Sequence, residues 1–201
     1  MEESKSLNLI SHRIFTLFIN ILFFLLAIII LMPILIVVAL LIKIEDGGPI
    51  LYTQYRVGKD NKIFKIYKIR SMKLNSGDSN PRWAKKNDDR ITKVGRIIRK
   101  TRIDEIPQVF NILKGDMNLI GPRPEVPELT LKFNKEIKGF INRLQVKPGL
   151  TGWAQVHGGY DLSPKEKYQN DMYYIKNRSI YMDILIIIKT IKVIMTGDGA
   201  R

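Results

Sequence analysis

Asp104 and Glu105 stand side by side in Ile103-Asp104-Glu105-Ile106-Pro107-Gln108, and two readings of the pair are open. The structural one makes Asp104 a helix N-cap, with Pro107 tolerated in the first turn and Glu105 complementing the helix dipole. The chemical one uses the same physics. A helix N-terminus keeps a carboxylate ionised and attracts phosphate. Adjacent carboxylates offer hard oxygens to a magnesium ion that takes further ligands from substrate phosphates. An ionised aspartate can also attack phosphorus and hold it covalently. Cations surround the pair in sequence, with Arg99, Lys100 and Arg102 before it and Lys114 and Arg123 after it. Arg123 lies between the prolines of Gly121-Pro122-Arg123-Pro124, so the backbone sets its position, and its planar fork matches phosphate bidentately. Lys65, Lys68 and Arg70 add positive charge upstream, where the plainer reading is a solvated strand face.

The elements that must position these groups follow from pattern. Ile50 to Arg56 and Lys62 to Arg70 are rich in β-branched and aromatic residues, and Gly58-Lys59-Asp60-Asn61 joins them; this predicts a β-hairpin with a longer loop. Leu74 to Arg90 is polar and reads as a loop with at most a short helix. Thr92 to Lys100 reads as a basic helix. Asp104 to Leu113 reads as a helix with Ile106, Val109, Phe110 and Leu113 on one apolar face, and Gly115 stops it. Pro122 and Pro124 break the chain, Pro127 opens a helix running to about Asn142, and Lys147 to Gly159 is a glycine-punctuated loop. Met182 to Met195 carries Asp183, Lys189 and Lys192 as its charges. It suits an amphipathic helix near a membrane surface or a plain core helix equally well.

Ahead of these elements lies a segment of different character. No residue from Ile14 to Ile42 is charged. The run is too long for a cleavable signal core of ~7–15 residues and suits a membrane helix. Pro33 inside it removes a backbone hydrogen bond, which predicts a kink or break. Lys5 and Arg13 precede the run and Lys43 follows it; positive flanks are held in the cytoplasm. A straight span and a hairpin that bends at Pro33 and returns to the same face both remain open on this evidence. Residues 1–45 therefore read as a membrane-anchoring segment, and Asp46-Gly47-Gly48-Pro49 opens a cytoplasmic domain over 46–201.

With 33 basic and 19 acidic residues the net charge is +14, which concentrates polyanions around the domain. The chain has no cysteine, which excludes a disulfide framework and a cysteine-ligated metal site. His12 and His157 are too few for a histidine-rich one. A membrane-tethered nucleic-acid binder would explain the charge, yet neither a helix-turn-helix nor exposed aromatics among the basic residues are evident. A scaffold that binds anionic lipid without catalysis is the remaining non-enzymatic reading.

Further motifs follow in order. Phe64-Lys65-Ile66-Tyr67-Lys68-Ile69-Arg70-Ser71-Met72 is succeeded by Arg102-Ile103-Asp104-Glu105-Ile106-Pro107-Gln108 and Asn111-Ile112-Leu113-Lys114-Gly115-Asp116-Met117. Ile120-Gly121-Pro122-Arg123-Pro124 and Lys147-Pro148-Gly149-Leu150-Thr151-Gly152 complete the series. Together they resemble the bacterial sugar transferases, the monotopic phosphoglycosyl transferases of glycan assembly, from the apolar segment to the C-terminus. The resemblance implies a mostly helical α+β fold with a proline-kinked re-entrant membrane helix, a small β-hairpin and amphipathic helices at the membrane interface. It implies transfer of a sugar-1-phosphate from a UDP-sugar to undecaprenyl phosphate with release of UMP, dependence on Mg2+, and a place at the cytoplasmic face of the bacterial inner membrane. By the same resemblance Asp104 is the nucleophile, Glu105 the magnesium-associated carboxylate with Asp104 beside it, Arg123 the arginine of the proline-flanked loop, and Lys68, Arg99 and Asp171 pocket residues. Arg70 joins the substrate-binding group. The expected partners are UDP-sugar, undecaprenyl phosphate and the bilayer, with a second copy of the chain or other glycan-assembly enzymes as candidate protein partners and no nucleic acid. Two positions depart from the family pattern: Met32 where a serine often precedes the kink proline, and Gly159 where an arginine often follows Gln155-Val156-His157-Gly158.

Overall fold

The computed structural model describes residues 2–73 and 88–196, with side chains from residue 10 onward and that of Tyr160 excepted. The polar loop expected over 74–90 lies largely outside the described residues. The fold is mostly helical, with one small antiparallel sheet.

Helix α1 (Glu2–Leu26) runs into a π-helical turn (Ala27–Leu31) and then into α2 (Met32–Asp46). Pro33 lies in the first turn of α2, so its missing N–H falls where the ladder has already widened to π spacing. The helical stretch Ile10–Asp46 is long and apolar enough to cross a membrane by length and composition. Gly47, at φ 69°, ends it in a left-handed cap.

Strands β1 (Leu51–Val57) and β2 (Ile63–Ile69) form the expected hairpin, with Leu51 opposite Ile69 and Val57 opposite Ile63. Phe64 and Ile66 are buried on one face of β2, and strand alternation puts Lys68 on that face too. Helix α3 (Lys93–Lys100) begins at Thr92, whose hydroxyl accepts from Gly95 N at 2.8 Å.

The segment that follows departs from expectation. Arg102 adopts φ 60°, and a 3-10 turn, Ile103–Gln108, leads into α4 (Val109–Leu113). Asp104 is therefore not an N-cap; it lies within the first turn. Pro107 supplies no N–H, so a regular α-helix does not start until it has passed. The buried face is Ile106, Val109 and Ile112, while Phe110 and Leu113 are 47% and 50% exposed. Gly115, at φ 80°, closes the segment as expected.

Strand β3 (Asn118–Ile120) precedes the proline loop, and α5 (Pro127–Glu136) follows it. The helix expected to reach Asn142 stops earlier, because Ile137 is extended and Gly139 turns at φ 81°. A 3-10 stretch, Phe140–Gln145, follows. The stretch expected as a loop contains β4 (Gly149–Thr151), parallel to β3, and α6 (Trp153–Val156). Backbones meet closely here: a Cβ on Gly149 would lie 2.0 Å from Gly121 N. Helices α7 (Pro164–Asn177) and α8 (Ile180–Thr196) complete the chain, the former opened by a Ser163–Glu166 capping box.

The apolar helix contacts the rest of the protein near both ends. Toward its start, Phe15 and Ile19 pack against Ile120, Tyr174, Met182 and Ile186. His12 Nε2 lies 2.9 Å from Asp183 Oδ2, and Asn20 accepts from Leu119 N at 2.8 Å. Toward its end, Leu35, Val38 and Ile42 pack with Ile69 and Ile98. Glu45 accepts from Lys93 N at 2.7 Å, and Arg70 pairs with Asp46. The opposite face, including Ile14, Phe18, Leu25, Ile29, Ile36, Leu40 and Ile44, is exposed and apolar. Helix α8 repeats the arrangement: Met182, Asp183 and Ile186 are buried, while Ile184, Ile188, Ile191 and Met195 are exposed.

Candidate active site

Four chain segments bring the predicted charges together. The 3-10 turn Ile103–Gln108 carries the dyad, β2 brings Lys68, the end of α3 brings Arg99, and the loop after β3 brings Arg123. Asn111 on α4, fully buried, ties the helix that follows the dyad to β2: its Oδ1 accepts from Tyr67 N at 3.1 Å and its Nδ2 donates to Lys65 O at 2.8 Å. That clamp holds β2 against α4 and so places Lys68 over the dyad.

Glu105 is the hub. Lys68 Nζ donates to its Oε1 at 2.9 Å, Arg123 Nη2 bonds the same oxygen, and Arg123 Nη1 reaches Oε2 at 3.3 Å. Burial alone would raise the Glu105 carboxyl, but Arg123, Lys68 and Arg102 hold it well below the usual carboxylate range. Asp104 differs. It is 5% exposed and its carboxylate accepts no hydrogen bond from the described residues. Burial and the charge of Glu105 push its carboxyl up, while Lys68, Arg99 and Arg123 oppose that rise. Once ionised, a buried carboxylate among cations that accepts no hydrogen bond from the described residues keeps lone pairs available to an electrophile. Arg102 contributes through its backbone: φ 60° is a strained value for a residue with a side chain, and it reverses the chain directly before the dyad.

The proline loop has no regular structure, yet each of its carbonyls from 122 to 125 is held. Pro122 O accepts from Gly149 N at 2.9 Å, and Glu125 O accepts from Val57 N at 3.0 Å. Two arginine side chains hold the middle, Arg143 Nη2 to Arg123 O at 2.7 Å and Arg56 Nη1 to Pro124 O at 3.0 Å.

Of the pocket residues expected from sequence, Lys68, Arg99 and Arg123 converge on the dyad. Arg99 also donates to Ser71 Oγ at 3.2 Å. Arg70 is placed elsewhere: it is buried and pairs with Asp46 at the end of α2, so it fastens the apolar helix to β2. Asp171 is 1% exposed and sits behind the proline loop, 2.6 Å from Arg143 Nη2. Burial pushes its carboxyl up to about 6, against the pull of Arg143. Arg143 and Arg56 were not singled out from sequence, because a lone arginine in a polar stretch carries no local signal.

This arrangement accompanies a family assignment that covers nearly the whole chain: the family model for bacterial sugar transferases matches residues 11–197. The chain belongs to the bacterial sugar transferase family. A UDP-N-acetylgalactosamine-undecaprenyl-phosphate N-acetylgalactosaminephosphotransferase of Aeromonas hydrophila is 50% identical over 172 residues, covering 84% of this chain and 41% of that relative. The undecaprenyl-phosphate galactose phosphotransferase of Salmonella typhimurium is 43% identical over 171 residues, 78% of this chain and 35% of its own. The UDP-glucose:undecaprenyl-phosphate glucose-1-phosphate transferase of Escherichia coli K12 is 38% identical over 164 residues, 79% of this chain and 35% of its own. This sugar transferase thus spans less than half the length of these relatives.

The dyad also suits the magnesium ion expected from the family resemblance. Among the described residues no group of three or more His, Asp or Glu side chains forms a metal cluster, so an all-protein cage is not on offer. Magnesium does not require one: it is commonly held by one or two carboxylates, waters and substrate phosphates. Glu105, its carboxyl held well below the usual range, and the oxygens of Asp104, which accept no hydrogen bond from the described residues, fit that donor set.

Proposed function

We propose that this chain transfers a sugar-1-phosphate from a UDP-sugar to undecaprenyl phosphate, releasing UMP, by way of a covalent phosphosugar on Asp104. The observation that carries the reading is the contrast inside the dyad: Glu105 is locked by Lys68 and Arg123, whereas Asp104 is buried among cations and accepts no hydrogen bond from the described residues. Family membership and the names of the relatives support the reaction class, and their different sugars leave the sugar of this chain unassigned.

In the first step an Asp104 oxygen attacks the sugar-bearing phosphorus. An aspartyl O–P bond forms, the P–O bond to the inner phosphate breaks, and UMP leaves with that electron pair. In the second, a phosphate oxygen of undecaprenyl phosphate attacks the same phosphorus, giving the lipid diphosphosugar and returning the Asp104 carboxylate. Arg123, anchored through its own carbonyl, presents its guanidinium to the phosphoryl oxygens as charge builds on them. Arg99 and Lys68 add positive potential and oppose the upward shift that burial imposes on the Asp104 carboxyl. Glu105, with Asp104 beside it, would hold magnesium, which supplies neutralisation of the diphosphate charge.

The acceptor is confined to a bilayer, and the exposed apolar faces of α1, α2 and α8 suit insertion into one leaflet of the bacterial inner membrane from the cytoplasmic side. A rod from His12 to Asp46 would measure about 50 Å at 1.5 Å per residue, beyond the ~30 Å hydrocarbon core. A straight crossing would part its ends, whereas here both ends touch the same folded unit. A re-entrant course bent at the π turn and Pro33 accords with those contacts and with the positive flanks.

Detergent-solubilised protein incubated with undecaprenyl phosphate, magnesium and UDP-N-acetylgalactosamine, UDP-galactose or UDP-glucose is expected to release UMP with at least one sugar and to carry a phosphosugar adduct by intact mass. Folded Asp104→Asn at full speed would refute the mechanism. Because this sequence has no cysteine, single cysteines placed at residue 4 and at the exposed residue 49 give a clean topology test. Both are expected to react with an impermeant maleimide from the cytoplasmic side, and opposite-side labelling would refute the re-entrant course.

A further inference from the structure

We infer that Arg143 and Asp171 act as positioning residues for the proposed reaction: they form a buried strut that fixes Arg123 against Glu105, and neither touches substrate. The inference rests on the reading of Arg123 as the phosphate ligand. Four observations support it. A single nitrogen, Arg143 Nη2, lies 2.7 Å from Arg123 O and 2.6 Å from Asp171 Oδ2. Arg143 is 4% exposed and Asp171 1%, so both are removed from any ligand that enters from solvent. The Arg143 guanidinium lies 5.1 Å from the centre of the Phe140 ring, which in turn packs edge-on against Phe133 and beside Tyr168. Finally, Arg123 itself reaches Glu105 through both guanidinium nitrogens.

The physical need is specific. Pro122 and Pro124 have no N–H, so the loop cannot hold itself by a ladder, and the main chain at Arg123 is tied down through its carbonyl. Arg143, on the 3-10 stretch Phe140–Gln145, supplies that tie, and Asp171 on α7 keeps the tie from swinging. The strut thereby links α7 to the anion-binding arginine. The resemblance had placed Asp171 among the pocket residues; its burial behind Arg143 gives it an indirect role.

The test is a double-mutant cycle on the rate of aspartyl-adduct formation under single turnover, normalised to folded protein by melting in detergent. Arg143→Met is expected to slow adduct formation roughly ten- to hundredfold in the wild-type background, the scale of a small misplacement of a positioned group. In an Arg123→Ala background the same change is expected to cost less than about twofold. Arg143→Lys, which retains one cationic nitrogen donor, should recover part of the loss, and Asp171→Asn should follow Arg143→Met in both backgrounds. Equal losses with and without Arg123 would overturn the strut, as would full activity in folded Arg143→Met. If Arg143→Met does not fold, Asp171→Asn and Arg143→Lys carry the same comparison. The two readings fail separately: no adduct with any UDP-sugar in the parent protein, or no loss in Arg123→Ala, removes the reaction reading, whereas additive losses remove only the strut.

Discussion

Asp183 and Asp104 are both buried carboxylates, 1% and 5% exposed, and their surroundings differ in kind. Asp183 joins the last helix to the first: Tyr174 donates to its Oδ1 at 2.9 Å and His12 Nε2 lies 2.9 Å from its Oδ2. A hydrogen bond holds one oxygen and the close approach of His12 faces the other, and apolar side chains from α1, α7 and α8 close around them. Asp104 has cations nearby and no hydrogen bond from the described residues, while its neighbour Glu105 takes the close contacts of Lys68 and Arg123. Burial is common to the two sites. What separates a fastening from a reactive group is whether polar side chains of the protein stand in direct contact with the carboxylate oxygens.

Substitutions that interchange these roles can break that comparison. The largest effect is expected from Asp104→Asn, which removes the nucleophile and should lower UMP release by more than about 10³-fold with no loss of thermal stability. Asp183→Asn should do the reverse. Removing one side of a buried pair costs about 3 kcal/mol, read as a lower melting point in detergent, with the rate per folded molecule kept within about twofold. Loss of activity without loss of stability at Asp183 would remove the distinction. Lys68→Met sharpens it by titration. Asp104 must be ionised to attack, and its carboxyl is raised, so the rate falls as pH drops through that raised value. Lys68 opposes the rise, so its removal should move the acid limb of kcat/KM to higher pH. Glu105, held low, contributes no limb there. The smallest effect is expected from Tyr174→Phe, which deletes one hydrogen bond to Asp183 and should cost about 1 kcal/mol of stability with UMP release unchanged.

Local pattern revealed the elements whose cause is local. The hairpin, the start of α3 at Thr92 and the glycine turn at Gly115 follow from neighbouring residues, and all three form where the pattern placed them. Pattern misplaced the elements decided by contact. Ile106, Val109, Phe110 and Leu113 share a helical spacing, but α4 turns Ile112 inward and leaves Phe110 and Leu113 exposed. Gly149 was legible as a loop residue, whereas its place opposite Asn118 in a parallel bridge, against Gly121, depends on two segments meeting with almost no space between their backbones. The site shows the same split. Asp104, Glu105, Lys68, Arg99 and Arg123 stood out by residue type and order. Arg143 and Arg56 did not, since what distinguishes them is the carbonyl each holds, Arg56 from a point far away in the chain.

Sequence alone determined that an uncharged apolar helix precedes a strongly basic domain, and that the chain carries an acidic pair and a proline-flanked arginine, because composition, spacing and fixed φ are properties of the chain itself. Only the tertiary structure decided which partner each charge receives. It turned Arg70 away to Asp46, Asp171 to Arg143 and Lys68 to Glu105, and among the described residues it left Asp104 without a hydrogen bond. The reason is physical: a charged side chain's role depends on burial and on neighbours within a few ångströms, and those neighbours come from distant parts of the chain.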